Sequence, residues 1–200
     1  MAIHTSTRTF DRDNIKPFIR QYRAAIRTVG DSIEGLRGIR LLHALKRTQR
    51  DFGIYTDVTL FEAANRIMSD LVILHGVKFL LENRAVFPFD SYTVELGNED
   101  RNGFDIRASA DGRTLVGEGF NVAVSFFSTK NRHALKKMRS KATAATYRIV
   151  VANADAVTES YRPDLTDNEY FLAVNVYKGR ARLIPGRQDA SAQPVSTPTP

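Results

Sequence analysis

The hydrophobic period of the chain changes near Pro88, and this change constrains the fold more than any other feature of the sequence. Before it, apolar residues recur at three- and four-residue intervals, which is typical of amphipathic helices. After it, apolar and polar residues alternate, which is typical of half-buried strands. We therefore expect helices in residues 1–84 and a sheet after Pro88.

Three helices are predicted before this change of period. The first covers residues 14–29, with Pro17 in its first turn and Gly30 as its stop. The second covers residues 31–51 and carries a basic face. The third begins with a capping-box sequence at residue 59 and continues to about residue 83. It is long and largely apolar, so it should pack against a sheet.

Three consecutive strands are predicted after Pro88, and Asp111 and Gly112 form the turn between the second and the third. A basic helix capped by Ser128 follows. The predicted strands cover residues 91–96, 103–109, 113–127, 147–154, 170–177 and 180–184. Residues 59–154 thus have the order αβββαβ, which predicts an α/β fold with a right-handed crossover and a mixed central sheet covered by helices.

The domain organisation follows from these elements. We expect an N-terminal helical subdomain over residues 1–58, which would contact DNA or form a dimer, and a core over residues 59–188. Residues 189–200 have the Ser, Thr, Pro and Gln bias of a disordered tail.

The charge of the chain favours a polyanionic partner. Lys and Arg number 29 against 22 Asp and Glu, and the isoelectric point is near 9.8, which is typical of nucleic-acid-binding proteins. The absence of cysteine excludes disulfides, thiolate nucleophiles and Cys-ligated metals, and it favours a cytoplasmic location. No signal peptide, membrane span or nucleotide-cofactor motif is expected.

The residues most suited to chemistry are carboxylates on the three consecutive strands, namely Glu95, Asp105 and Glu118. Asp105 lies between Phe104 and Ile106, so the pleat should direct its carboxylate away from the face that these two bury. Acids are depleted in strands and costly to bury alone. They should therefore share a cation or have basic partners.

Two explanations of these acids remain open. Magnesium prefers oxygen ligands and is usually held by one or two carboxylates together with substrate phosphate. Alternatively, the acids face solvent and are neutralised by nearby arginines, for which Arg101, Arg107 and Arg113 are candidates.

Residues 103–108 (Gly-Phe-Asp-Ile-Arg-Ala) and 111–118 (Asp-Gly-Arg-Thr-Leu-Val-Gly-Glu) resemble the metal-binding hairpin of the PD-(D/E)xK nuclease superfamily. The αβββαβ order resembles the restriction-endonuclease-like core of that superfamily. The resemblance implies that Asp105 and Glu118 hold Mg²⁺, with Glu95 as a further ligand. It also implies hydrolysis of double-stranded DNA by a type II-like restriction endonuclease that acts as a homodimer.

One position departs from the family pattern, because Phe120 stands where the catalytic lysine is expected. The resemblance gives this lysine the role of positioning the attacking water and offsetting charge at the phosphate. Lys130, Lys136 or Lys137 could supply a relocated amine from the following helix, and we take Lys136 and Lys137 as the catalytic candidates. Without such a lysine, the chain would be a catalytically silent nucleic-acid-binding protein. A structure-specific repair nuclease is a further alternative.

Basic side chains elsewhere are candidates for binding phosphates, although a solvated helix face has the same pattern. The candidates are Lys130, Arg132, Arg139, Lys141, Arg47 and Arg50. Glu62 resembles an additional acid found in some family members, but its spacing from Thr59 favours the capping box.

Overall fold

The computed structural model describes residues 8–97 and 103–187, which form an α/β structure with a mixed seven-stranded sheet. The α-helices of these residues are α1 (Ile15–Ala25), α2 (Gly38–Arg47), α3 (Leu60–Glu82) and α4 (Val124–Lys141). The strands are β1 (Arg8–Asp11), β2 (Gln49–Phe52), β3 (Tyr55–Thr59), β4 (Ser91–Val94), β5 (Ile106–Ala110), β6 (Arg113–Phe120), β7 (Tyr147–Asn153), β8 (Glu169–Asn175) and β9 (Arg180–Ile184).

The main sheet has the order β1-β4-β5-β6-β7-β8-β9, and β2 and β3 form a separate hairpin. β1, β4, β5 and β6 pair antiparallel, β6, β7 and β8 pair parallel, and β9 returns antiparallel to β8. The parallel pairing of β6 with β7 follows from the α4 crossover between them. The predicted α/β class, the mixed sheet and the element order of residues 59–154 are confirmed.

Helix α3 lies against one face of the sheet and α4 against the other. Two glycines let α3 approach closely: a Cβ on Gly76 would lie 2.6 Å from Cγ1 of Val151, and a Cβ on Gly119 of β6 would collide with Ile73. The α3 face holds the larger hydrophobic core cluster, and the α4 face holds a second one. Within the two described ranges, no helix is both long and apolar enough to cross a membrane.

The segment before α3 differs from its predicted secondary structure. The second predicted helix is wrong at both ends, because residues 31–33 form a 3₁₀ turn, α2 ends at Arg47, and Gln49–Phe52 pairs with β3. Thr48 is extended and ends α2. β1 was not predicted either, because it is short and only Phe10 of its four residues is buried. The pairing of β1 with β4 comes from a distant segment and leaves no local sequence signal.

The N-terminal elements share a hydrophobic core with the sheet. This core cluster includes Phe10, Phe18 and Tyr22 as well as Val151 and Leu172 of the sheet. The domain boundary at residue 58 stays a prediction, and the predicted tail of residues 189–200 lies outside the described residues.

The fourth helix begins earlier than predicted. Strand β6 ends at Phe120, and α4 starts at Val124 after the extended residue Ala123, so Ser128 is not its cap. The apolar run that suggested a longer strand is helical because Phe127 packs into the core beneath α4, edge-on to Tyr161 and Phe171. This start places the basic residues of α4 beside the end of β6.

A buried carboxylate joins α1, β3, α3 and the end of β4. Asp70 of α3 accepts hydrogen bonds from the hydroxyls of Tyr22 and Tyr55, and from the backbone N–H of Gly97 at 2.9 Å. Burial raises the pKa of Asp70 to about 6, against the effect of these hydrogen bonds. All the donors are buried, so Asp70 links the N-terminal elements to the sheet.

We expect Asp70→Ala to lower the free energy of unfolding by about 3 kcal/mol, because three buried donors would lose their acceptor. Asp167→Ala, at an exposed position, is the control and should change it by less than about 0.5 kcal/mol. Urea denaturation followed by circular dichroism measures both. Equal midpoints for the two variants would contradict the linking role of Asp70.

Candidate active site

A cavity of about 540 Å³ opens at the carboxyl end of β6, between α3 and α4. We call it the carboxylate cavity because Asp105 and Glu118 line it. Its other lining residues are Asn65, Ser69, Gly119, Phe120, Asn121, Val122, Lys130 and Lys137. Two of the predicted acids and two of the predicted lysines therefore meet in one place.

The pleat of β6 decides which of its residues enter the carboxylate cavity. Val116 and Phe120 pack on the α4 side of the sheet. Glu118 is two residues from each, so its side chain points to the same side, where it contacts Lys137 of α4. Phe120 shares this side with Glu118, but it is buried in the core cluster beneath α4. The position expected to carry the family lysine thus has an apolar packing role.

Lys137 supplies an ammonium group to Glu118 from α4. Its Nζ atom lies 2.9 Å from Oε1 of Glu118, and their side chains are 26% and 12% exposed. The same Nζ atom lies 5.5 Å from the centre of the Phe104 ring. Lys130, about two turns earlier in α4, lines the cavity as well. Helix α4 therefore places positive charge where β6 carries none.

Asp105 lies immediately before β5, which begins at Ile106. The predicted strand start at Gly103 is wrong, because that glycine has a φ of +86° and breaks the extended backbone. The predicted shared face is wrong too, since Ile106 belongs to the core cluster on the α3 side while Phe104 packs on the α4 side. Oδ2 of Asp105 accepts a hydrogen bond of 2.8 Å from the N–H of Gly119, which ties the carboxylate to β6.

Burial and neighbouring charge raise the proton affinity of both carboxylates. Burial raises the pKa of Glu118 to about 7, and the charge of Asp105 adds to this effect, while Lys137 and Lys130 oppose it. Burial also raises the pKa of Asp105, against its hydrogen bond from Gly119 and the charges of the two lysines. A cation in the cavity would stabilise both ionised forms.

The remaining predicted acids lie apart from the cavity lining. Glu95 is buried, and its backbone N–H donates to the carbonyl oxygen of Asp105 at 2.9 Å. Its charge contributes to the raised pKa of Asp105, but its role as a ligand stays a prediction. Glu62 forms the predicted capping box with Thr59, and this bonding keeps the pKa of Glu62 low.

The structure does not bring the other basic candidates to the carboxylate cavity. Lys136, Arg132 and Arg139 line a separate cavity on the far side of α4. The others are exposed at the ends of helices or on the hairpin, namely Lys141, Arg47 and Arg50. Arg101 lies outside the described residues.

Two polar residues of α3, Asn65 and Ser69, complete the lining of the cavity and were not anticipated. Their four-residue spacing puts them on one helix face. Two polar residues on one face of a largely apolar helix could have indicated a polar site from the sequence. Only the fold shows that this face borders the carboxylate cavity.

The carboxylate cavity offers two carboxylates, and carboxylate oxygens are suitable ligands for a hard divalent cation. Asp105 and Glu118 would hold Mg²⁺ as oxygen ligands, and water and substrate phosphate would complete its coordination. Within residues 8–97 and 103–187, no group of three or more His, Asp or Glu side chains forms a metal-binding cluster. The protein share of such a site would thus be two carboxylates.

We expect Glu118→Gln to stabilise the metal-free protein at alkaline pH. The raised pKa of Glu118 means that the folded state binds this proton more tightly than the unfolded chain, whose value is about 4.5. The stabilisation it contributes is therefore complete below about pH 4.5 and is lost as pH rises through about 7.

The variant should exceed the wild type by about 2 kcal/mol in free energy of unfolding at pH 8 and match it near pH 4. Urea titrations in EDTA test this, with the exposed Glu159→Gln as control. A Glu118→Gln gain that is the same at both pH values would contradict the proton linkage.

Comparisons of the chain with protein-family models, with curated proteins and with solved structures gave no match. What can be said of its chemistry therefore depends on the cavity itself, where two carboxylates and two lysines lie together.

Proposed function

We propose that the chain is a magnesium-dependent endonuclease that hydrolyses phosphodiester bonds of double-stranded DNA, as a type II-like restriction endonuclease of the PD-(D/E)xK superfamily. The observation that carries the proposal is the position of Lys137, whose Nζ atom lies 2.9 Å from Glu118 in the cavity that also holds Asp105. Two acids and an amine on an αβββαβ core are what the resemblance to this superfamily leads us to expect.

Lys137 takes the place of the lysine that β6 lacks. An ammonium group next to Glu118 can orient an attacking water and offset negative charge that develops on the phosphate. These tasks depend on where the charge lies and not on which element carries it. With the amine supplied by α4, Phe120 can have a packing role, and its ring is buried in the core cluster beneath α4.

Asp105 and Glu118 would hold the metal, and Mg²⁺ bound there would supply Lewis-acid stabilisation of the phosphate and a more acidic bound water. The hydrogen bond from Gly119 keeps Asp105 oriented toward β6. Lys130, on the same cavity wall as Lys137, is placed to bind a phosphate oxygen. Because the pKa of Glu118 is about 7, metal binding and turnover should increase as pH rises through neutrality.

The second candidate function is a catalytically silent nucleic-acid-binding protein. It is favoured by Phe120, because a buried ring at this position excludes a lysine from the usual place. In this case the contact between Lys137 and Glu118 would only neutralise a buried acid. The two functions differ in whether the removal of Lys137 changes turnover or only stability.

We expect purified protein to cut long unmethylated duplex DNA into discrete fragments with Mg²⁺ but not with EDTA. Asp105→Asn should abolish cleavage while retaining DNA binding, because it removes a ligand charge from the metal site. Lys137→Met should lower the single-turnover rate by about 10²-fold or more, in line with the loss of one transition-state donor.

Lys178→Met is the matched control, because Lys178 is exposed in the turn between β8 and β9 and should be dispensable. Cleavage by Lys137→Met at the control rate would exclude the relocated lysine. Salt-sensitive DNA binding without cleavage in Mg²⁺ or Mn²⁺ would favour the silent fold.

A further inference from the structure

A second cavity, of about 580 Å³, lies between α4 and the segment that joins β7 to β8. We call it the arginine cavity. Its apolar walls include Leu135, Tyr161 and Pro163, and its basic lining residues are Arg132, Lys136, Arg139, Arg162 and Arg187. Such a volume is in the range of small-molecule sites.

The arginine cavity has a strong excess of positive charge. Arg139 is neutralised by Glu169, with Nε and Nη2 at 2.8 and 2.6 Å from its carboxylate oxygens. Asp164 is the acid among the lining residues. The other four cations form no ion pair with a carboxylate in the part of the chain that the structure describes. Four cations against one acid favour an anionic ligand.

Backbone carbonyls hold two of these arginines in place. Nη1 of Arg162 donates to the carbonyls of Glu159 and Tyr161 at 3.0 and 2.9 Å, and Nε of Arg187 donates to the carbonyl of Arg162 at 3.3 Å. Each guanidinium has five N–H donors, so both keep donors for a ligand. Because neutral carbonyls hold them, their charge is not cancelled.

A polar pair beneath the cavity fixes its wall. Nδ2 of Asn131 donates to the Tyr161 hydroxyl at 2.7 Å, joining α4 to the loop. Burial raises the pKa of Tyr161, and the charge of Arg187 and the hydrogen bond with Asn131 oppose this effect. Arg187 lines the cavity together with Tyr161. The cavity is therefore a structured site with cations on both of its sides.

The two cavities flank the same helix. Lys130 and Lys137 line the carboxylate cavity, and Arg132 and Lys136 line the arginine cavity. A helix with its side chains is about 10–12 Å across. Each strand of a duplex advances about 3.4 Å per nucleotide along the duplex axis, so a duplex that lies across α4 covers this width in roughly three nucleotide steps.

We propose that the arginine cavity binds a phosphate of the substrate strand, about three nucleotides from the phosphodiester at Glu118. The inference rests on the proposed function and deepens it, because it makes the enzyme require nucleic acid on both sides of α4. A strand that crosses α4 would meet positive charge from one cavity to the other.

The test uses the Asp105→Asn protein, so that binding is measured without cleavage. Fluorescence anisotropy gives the Kd for a labelled DNA duplex over a range of salt concentrations. Lys136→Gln with Arg187→Gln should weaken binding about tenfold and reduce the salt slope by about 0.9, the value of one lost phosphate contact. Lys178→Gln with Arg180→Gln removes the same charge at exposed positions and is the matched control.

The chemical source of the phosphate is distinguished by competition. Inorganic phosphate at millimolar concentration should not displace the duplex, because a single free anion lacks the contacts at the other cavity. The proposal would be overturned in favour of a site for free phosphate if inorganic phosphate displaced the duplex from the parent protein but not from the Lys136→Gln, Arg187→Gln protein. Equal Kd values and slopes for the pocket and control variants would overturn it as well. Absence of any salt-sensitive DNA binding by the parent protein would instead contradict the proposed function.

Discussion

Asp105 and Glu118 line the same partly buried cavity, where two negative charges are costly. The surrounding residues offset part of this cost. Two carboxylates in a medium of low dielectric raise one another's pKa unless positive charge is near. Lys137 and Lys130 provide such charge from α4, and the N–H of Gly119 provides a hydrogen bond. The compensation is incomplete, because the pKa of Glu118 remains near 7. An incompletely compensated pair of acids is suited to accept a cation.

The same constraint explains the shape of this part of the fold. Gly119 leaves room for Ile73, so α3 can approach β6 where the acids lie. Phe127 anchors the first turn of α4 in the core, which sets the helix so that Lys137 reaches Glu118. Asp70 of α3 connects α1 and β3 to the end of β4 through buried hydrogen bonds. Packing on both faces of the sheet thus fixes the positions of the charges.

Much of the central sheet could be predicted, because β6, β7 and β8 carry apolar runs and α3 has a capping box. The N-terminal strands could not, since β1 and β2 each bury a single residue and depend on partners from elsewhere in the chain. Asp105 and Glu118 could be named from the sequence. The choice of Lys137 over Lys136 could not, because neighbouring residues of a helix point about 100° apart and only the packing of α4 decides which one faces β6.

A Mn²⁺ titration followed by electron paramagnetic resonance at pH 8 tests metal binding by the two carboxylates most directly. We expect bound Mn²⁺ in the wild-type protein and at least about tenfold weaker binding in Asp105→Asn and in Glu118→Gln, since each loses a ligand charge. Exposed Glu159→Gln should bind as the wild type does. Undiminished Mn²⁺ binding in both carboxylate variants would contradict a metal site at Asp105 and Glu118.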